Sequence, residues 1–267
     1  MSGITFSEVA KSYDKTSIVQ KSASEKLFEL LSIKPTEDVL DLGCGTGDLT
    51  VKIRKITSGK VIGIDVEKEM IEKSLNKYGK KNITFKVKRA EEINYKDEFD
   101  VIFCNSAFQW FKNPDIVLQK CYEALKTKGR IGIQAPARKV YSPNFIQAIE
   151  EVKKHPKTKD VFKFFEEPWF FLESAEEYKE LFERNNFEVL YAEIEEKHTK
   201  HTPEEVYNIF NSGAVAGYLN PKYYKIPIDE TYAKAFREIV KENFYNQVDE
   251  EGKVELVFYR VYLIAKK

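Results

Sequence analysis

A run of seven residues that carries three glycines at alternating positions constrains this chain more than any other part of the sequence. The run reads Asp-Leu-Gly-Cys-Gly-Thr-Gly from Asp41 to Gly47. It begins within Val39–Leu42, a segment that is typical of a short buried strand. The spacing of Leu49, Ile53 and Ile56 predicts a helix directly after it. Glycines let the backbone turn tightly and let a ligand approach without a Cβ in the way. Free N–H groups at the start of the next helix favour a polar or anionic ligand group.

Strand and helix patterns alternate along most of the chain. Apolar runs typical of strands recur at residues 61–64, 83–87, 99–103, 131–133, 187–191 and 256–265. Repeated strand–helix units predict an α/β fold with a doubly wound, mostly parallel sheet of seven strands. We expect a single domain over residues 1–267, with a helical cap at 1–32 and a helical insertion at about 200–250.

Several helix boundaries are marked by local signals. Ser174 with Glu177, and Thr202 with Glu205, have the spacing of capping boxes, and Asp229 is a candidate cap for a later helix. Gly129 is predicted to end the helix that follows the fourth strand.

The composition excludes several classes of protein. Apolar residues make up 42% of the chain, which is enough for a core, and 43 Lys and Arg balance 43 Asp and Glu, which disfavours nucleic acid as a partner. The longest uncharged stretch, Val206–Pro221, is too short and too polar to span a bilayer. Three widely spaced cysteines form neither a disulfide framework nor a metal site. We expect a cytoplasmic protein that binds no metal and no membrane.

The glycine run differs from two well-known nucleotide-binding motifs. Asp48 stands where the dinucleotide motif needs its third glycine, and Gly47 is not followed by the Lys-Ser/Thr of a P-loop. Asp65 ends the second predicted strand, where an acidic side chain in a doubly wound sheet faces the ribose hydroxyls of an adenosine ligand. An adenosine-containing ligand other than a dinucleotide is therefore expected.

The run resembles the first motif of class I S-adenosylmethionine-dependent methyltransferases, Asp-x-Gly-x-Gly-x-Gly. This resemblance covers about residues 6–136 and implies a Rossmann-like methyltransferase fold, S-adenosylmethionine as cofactor and S-adenosylhomocysteine as product. Many relatives carry Asp-Ala-Glu after the third strand, whereas this chain has Arg89-Ala90-Glu91, so Glu91 or a backbone carbonyl must replace the contact with the adenine amino group. The cofactor-binding residues that the resemblance implies are Asp41, Gly43, Cys44, Gly45, Gly47, Asp65, Val66, Met70, Ala90, Glu91 and Asn105.

The segment after the fourth strand points to the methyl acceptor. Asn105–Phe111 lacks the Asn/Asp-Pro-Pro-aromatic motif used on nucleic-acid bases. It resembles the Asn-Ala-x-x-Gln-Trp run of trans-aconitate methyltransferases, whereas residues 6–14 are similar to malonyl-acyl-carrier-protein methyltransferases. Both groups methylate a carboxylate oxygen. Gln109 and Trp110 are candidates for positioning the acceptor, and Tyr13 is a candidate for closing the pocket and contacting the methionyl carboxylate of the cofactor. Core packing is the alternative for each.

Arg260 is the only charged residue between Leu256 and Ala265, in a strand that reads as buried. A buried guanidinium needs an anionic partner, which is either a protein carboxylate or the carboxylate of the substrate. Arg138 and Arg237 are weaker candidates for the same role, and His198 and His201 are expected in a solvated loop.

The sequence thus favours a methyltransferase that acts on a small carboxylate. The alternatives are an acid bound to an acyl-carrier protein, a phenol or quinone precursor, and a cofactor-binding module without transfer activity.

Overall fold

The computed structural model describes residues 18–267 and contains one seven-stranded sheet. The strands are β1 (Val39–Leu42), β2 (Val61–Asp65), β3 (Thr84–Val87), β4 (Phe99–Asn105), β5 (Leu125–Pro136), β6 (Glu188–His201) and β7 (Val254–Lys266). Their order in the sheet is β3-β2-β1-β4-β5-β7-β6. Strands β1 to β5 pair in parallel, and β7 is antiparallel to β5. The predicted α/β fold with a mostly parallel seven-stranded sheet is confirmed.

Helices follow most of the strands. They are α1 (Ile18–Leu31), α2 (Asp48–Ile56), α3 (Lys68–Tyr78), α4 (Pro114–Ala124), α5 (Pro143–Lys154), α6 (Lys159–Phe162), α7 (Ala175–Glu183), α8 (Pro203–Asn211), α9 (Val215–Tyr218) and α10 (Glu230–Tyr245). None of the helices within residues 18–267 combines the length and the apolar character that crossing a membrane requires.

The predicted helix caps are present. The Ser174 hydroxyl accepts a hydrogen bond from the Glu177 N–H at 3.1 Å, and the Glu177 carboxylate accepts one from the Ser174 N–H at 3.0 Å. Thr202 and Glu205 form the same reciprocal pair at the start of α8. Asp229 caps α10 by accepting from the Tyr232 N–H at 2.7 Å. Each cap satisfies N–H groups that the first turn of a helix leaves without a partner.

The predicted helix end at Gly129 is wrong. Helix α4 ends at Ala124, and Gly129 lies inside β5, which begins at Leu125. Leu125 pairs with Phe99 and Arg130 with Val101, and the register shifts between these two pairs. Pairing with β4 therefore ends the helix, and this long-range interaction is not visible in a local glycine signal.

Both faces of the sheet are covered by apolar side chains. Leu40 and Ile102 belong to one buried cluster, whereas their neighbours Val39 and Val101 belong to another, as expected where successive side chains of a strand point to opposite faces. Helix α1 covers the second face with side chains that include Leu27 and Leu31, as its apolar spacing predicts. This coverage accounts for the almost continuously apolar sequences of the inner strands.

The described chain divides into two compact units. The sheet unit contains Gln20–Lys139, Trp169–Glu195 and Arg260–Lys267, and the helical unit contains Val140–Pro168 and Glu196–Tyr259. The helical unit includes the predicted insertion at about 200–250 but is larger, because α5 and α6 join it. Its interior is aromatic, with Phe145, Phe210 and Phe244 packed at centroid distances of 5.1 to 5.9 Å. These rings bury large apolar areas, which explains why a small helical unit has a core of its own.

Candidate functional site

The carboxyl ends of the parallel strands lie at one edge of the sheet and bring the predicted cofactor residues together. Strand β1 lies between β2 and β4, with Asp41 paired with Gly63 on one side and Phe103 on the other. The glycine run therefore leaves the sheet between the ends of β2 and β4, which carry Asp65 and Asn105. Ligands of open α/β sheets bind at such an edge.

The three glycines of the run adopt positive φ angles of 80°, 54° and 82°. A Cβ added at Gly43 would lie 2.3 Å from the Ala107 Cβ, and one at Gly47 would lie 2.8 Å from the Phe85 ring. A Cβ at Gly45 would meet no atom of the described residues within 4 Å. Packing within the protein thus requires glycine at two of the positions, whereas at Gly45 the missing side chain leaves open space for a ligand.

The Asp65 carboxylate connects the ends of β1 and β2. Its two oxygens accept hydrogen bonds from the Gly45 and Glu67 N–H groups, each at 2.9 Å. Burial raises the pKa of Asp65, and the two N–H donors oppose this shift. Each carboxylate oxygen has a second lone pair, so both can still accept from ligand hydroxyls.

Asp41 and Cys44 lie under the turn rather than at its surface. Asp41 is 2% exposed, and its carboxyl accepts a hydrogen bond from the Thr50 hydroxyl at 2.7 Å. Burial raises the pKa of Asp41 to about 7. Cys44 is also buried, and its N–H donates to the Ile64 carbonyl at 2.9 Å. Their positions favour a role in holding the turn in place.

The residues expected beside the adenine surround the end of β2 and the turn after β3. Val66 is 51% exposed and leaves an apolar surface next to Asp65. Met70 is half-buried in α3, and Ala90 is buried. The half-buried Glu91 carboxylate lies 3.6 Å from the Arg89 guanidinium, so this arginine pairs with its neighbour.

Two amide side chains at the end of β4 have an unusual environment. The Asn105 Nδ2 donates to the Ser106 hydroxyl at 3.3 Å, and the Gln109 Nε2 donates to the Ser106 carbonyl at 2.9 Å. The Asn105 Oδ1 and the Gln109 Oε1 are buried and accept no hydrogen bond from residues 18–267. They are therefore acceptors available to a bound molecule.

The candidate acceptor residues lie on neighbouring elements of the sheet unit. The Trp110 ring is half-buried and packs 5.7 Å from the Trp169 ring, measured between centroids. Arg260 is 6% exposed and pairs with Pro136 at the carboxyl end of β5, so it reaches the edge that carries the glycine run. Burial lowers the pKa of Arg260, whereas Tyr262 and the Glu195 carboxylate raise it.

The remaining candidates are placed elsewhere or lie outside the described residues. His198 is exposed between the Glu196 and Glu255 carboxylates at 3.0 and 2.9 Å, which raise its pKa. His198 and His201 both lie in β6, which ends at His201, and not in a loop as predicted. Arg237 belongs to the helical unit. Tyr13 lies outside the described residues.

Sequence reasoning missed Ser106 and Gln134 as site residues. Gln134 is 2% exposed on β5 and pairs with Asn105 on β4. The only signal in the sequence for Gln134 was that it is a polar residue in the apolar run from Ile131 to Ala135. Nothing in the sequence marks Ser106. Among residues 18–267, no group of three or more His, Cys, Asp or Glu side chains could hold a metal ion.

Comparison with known proteins identifies the family of this chain. A family model described as a methyltransferase domain matches residues 33–213. The malonyl-[acyl-carrier protein] O-methyltransferase of Acetivibrio thermocellus is 32% identical over 127 residues, which cover 46% of this chain and 45% of that protein. The demethylmenaquinone methyltransferase of Lactobacillus johnsonii is 33% identical over 140 residues, 48% of this chain and 57% of that protein. The chain thus spans about half the length of the curated relatives it matches.

A solved structure shows the same fold over nearly the whole chain. The YcgJ protein from Bacillus subtilis superposes with a TM-score of 0.61, covering 92% of this chain and 98% of that one at 16% identity. Because the family model covers more than half of the chain, the chain belongs to the methyltransferase domain family, among the class I S-adenosylmethionine-dependent methyltransferases.

Proposed function

We propose that this protein transfers the methyl group of S-adenosylmethionine to a carboxylate oxygen of an acid, in the first place a small acid of the trans-aconitate type. Support for the cofactor comes from the open space at Gly45, the exposed Val66 next to Asp65 and the available Oδ1 of Asn105. The open space at Gly45 allows the close approach of a ligand. Val66 and Asp65 fit a flat apolar base with ribose hydroxyls, and the Asn105 Oδ1 fits a hydrogen-bond donor.

The position of Arg260 is the observation that supports a carboxylate as the methyl acceptor. Its guanidinium is buried at the same edge of the sheet as the glycine run, opposite Pro136 in the β5–β7 ladder. A guanidinium presents a planar fork of donors that matches a carboxylate. Glu195 acts on the Arg260 charge as well, but it also pairs with Lys26 at 3.3 Å, so its charge is shared between two cations.

The reaction makes modest demands on the protein. When bound, S-adenosylmethionine would supply an activated methyl group on its sulfonium for transfer to a carboxylate oxygen, with S-adenosylhomocysteine as the leaving group. A carboxylate is ionised at neutral pH, so no residue has to remove a proton. Arg260 would orient the acid, and the residues at the ends of β1, β2 and β4 would hold the donor in line, which provides rate acceleration through proximity.

The similarity to the two curated relatives suggests two alternative methyl acceptors. An acid bound to an acyl-carrier protein fits the same carboxylate chemistry and the similarity to the malonyl-[acyl-carrier protein] enzyme. A phenol or quinone precursor fits the similarity to the demethylmenaquinone enzyme, and it would need a base or an activated ring carbon.

The experiment is a transfer assay with S-adenosylmethionine labelled in the methyl group. Trans-aconitate, malonyl-acyl-carrier protein and a demethylquinol are offered separately, and each product is treated with mild alkali. A methyl ester releases labelled methanol under alkali, whereas an aryl ether or a C-methyl product does not. We expect alkali-labile label on trans-aconitate. Labile label on the carrier protein alone would replace the small acid with the carrier-bound acid, and alkali-stable label would contradict the carboxylate proposal.

A further inference from the structure

Ser106 has a backbone conformation that a serine rarely adopts. It follows directly after β4 with a φ of 55°, in the left-handed region that favours glycine. Such a conformation costs free energy and persists only where the surrounding contacts fix it. The contacts that fix Ser106 are therefore informative.

Ser106 joins three amide side chains. Its N–H donates to the Gln134 carbonyl at 2.7 Å, and its hydroxyl donates to the Gln134 Oε1 at 3.0 Å. The same hydroxyl accepts from the Asn105 Nδ2, and the Ser106 carbonyl accepts from the Gln109 Nε2. One residue thus binds the NH₂ groups of Asn105 and Gln109 and is itself held by Gln134.

This arrangement fixes which atoms of the two amides remain available. Because both NH₂ groups face Ser106, the Asn105 Oδ1 and the Gln109 Oε1 are the free ends, and neither accepts a hydrogen bond from residues 18–267. Gln109 is 7% exposed, so water has little access to it. A buried acceptor without a partner is unfavourable, and a ligand that donates to it removes this penalty.

The segment that carries the two amides lies next to the glycine run. Ala107, between the two amides in sequence, packs against Gly43 so closely that a Cβ there would lie 2.3 Å away. In the sheet order β2-β1-β4, Asp65 ends the strand on the other side of β1. A ligand that reaches from Asp65 across the glycine run to Asn105 therefore has one end at Asp65 and the opposite end at Asn105.

We propose that Ser106 and Gln134 are positioning residues that present the Asn105 and Gln109 oxygens to the ammonium group of the bound cofactor. This inference rests on the proposed function. An ammonium group has three donors and no acceptor, so it matches two carbonyl oxygens, whereas a carboxylate would be repelled by them. The hydroxyl-bearing ribose belongs with Asp65, and the amino-acid end of the cofactor with Asn105 and Gln109.

The test compares two ligands by titration calorimetry: S-adenosylhomocysteine and its deamino analogue, which keeps the adenosine and the carboxylate but lacks the ammonium group. Ser106→Ala removes the hydroxyl, and Gln134→Met removes its acceptor at similar volume. We expect each variant to lower the affinity for S-adenosylhomocysteine at least tenfold and to change that for the deamino analogue less than twofold. Ser212→Ala, which removes a buried hydroxyl in the helical unit, should change neither.

The alternative outcomes separate the two proposals. An equal loss for both ligands, or no loss for either, in a variant with a wild-type circular dichroism spectrum would overturn the positioning role and leave the proposed function intact. Failure of the wild-type protein to bind S-adenosylhomocysteine would overturn the proposed function, and this inference with it.

Discussion

At the scale of single residues, the site depends on polar groups whose roles differ although their types are similar. Asp41 and Asp65 lie at the ends of adjacent strands, but Asp41 is 2% exposed and bonded to Thr50, whereas Asp65 bonds to the backbone of the glycine run. Mutations of the two carboxylates should therefore affect different properties.

Asp65→Ala should weaken the binding of S-adenosylhomocysteine by about 1.5–3 kcal/mol, because hydrogen bonds to a charged group are lost. Asp65→Asn, which keeps one carbonyl oxygen, should lose less. The measurement is titration calorimetry, with the exposed Asp160→Ala in the helical unit as control. Unchanged affinity in a folded Asp65→Ala variant would remove this residue from the site.

Asp41→Asn should change how stability depends on pH. Burial raises the pKa of Asp41 to about 7, so between about pH 4 and 7 the folded state holds a proton that the unfolded state releases. The free energy of unfolding therefore falls as the pH rises through this interval, by up to about 4 kcal/mol from this group. Urea unfolding of the wild type and of Asp41→Asn across the interval measures the difference, and identical slopes would refute the expectation.

Arg260→Lys should separate a substrate role from a structural one. If the guanidinium binds the substrate carboxylate, kcat/KM for the acid should fall about tenfold or more, because lysine lacks the bidentate fork, while affinity for S-adenosylhomocysteine stays the same. If Arg260 serves the fold through Tyr262 and Glu195, the melting temperature should fall instead. A less stable variant with normal turnover of its folded fraction would exclude the substrate role.

At the scale of elements, α1 packs on the sheet where β5 carries a glycine. A Cβ added at Gly132 would lie 2.6 Å from the Leu31 Cγ, and Leu31 is 1% exposed. The helix and the strand therefore approach each other too closely for any side chain at this position.

Gly132→Ala should lower the free energy of unfolding by about 1–3 kcal/mol through overpacking. The same substitution in a Leu31→Ala background should cost much less, because the clashing side chain is absent. Urea unfolding followed by the fluorescence of Trp110 and Trp169, which both belong to the sheet unit, measures this cycle. Gly213→Ala is the control, since a Cβ there meets nothing within 4 Å. Additive effects of Gly132→Ala and Leu31→Ala would argue against a contact between these two residues.

At the scale of the whole molecule, ligand binding and stability should be linked. S-adenosylhomocysteine at 100 times its Kd should raise the free energy of unfolding by about 2.7 kcal/mol if it binds only the folded state. Gly45→Val should abolish this gain, because the side chain fills the open space and resists a φ of 54°. Thermal denaturation with and without ligand gives the result. Equal stabilisation of a folded Gly45→Val variant would place the ligand elsewhere.

Much of this protein was predictable from local sequence. The glycine run, the end of β2 at Asp65 and the caps at Ser174, Thr202 and Asp229 were identified because each depends on neighbours within a few residues. The alternation of short apolar strands with helices likewise indicated a parallel sheet. Together these features determined the fold class, and they carry the prediction of the cofactor site.

Tertiary structure decided what depends on residues far apart in the chain. Strand pairing, not Gly129, set the end of α4, and it brought Gln134 beside Asn105 and Arg260 beside Pro136. The left-handed Ser106 is stable because Gln134, 28 residues away, binds it. The sequence by itself determined the glycine turn, because backbone freedom is a local property. Only the folded sheet decided which side chains surround that turn, because their positions depend on long-range register and packing.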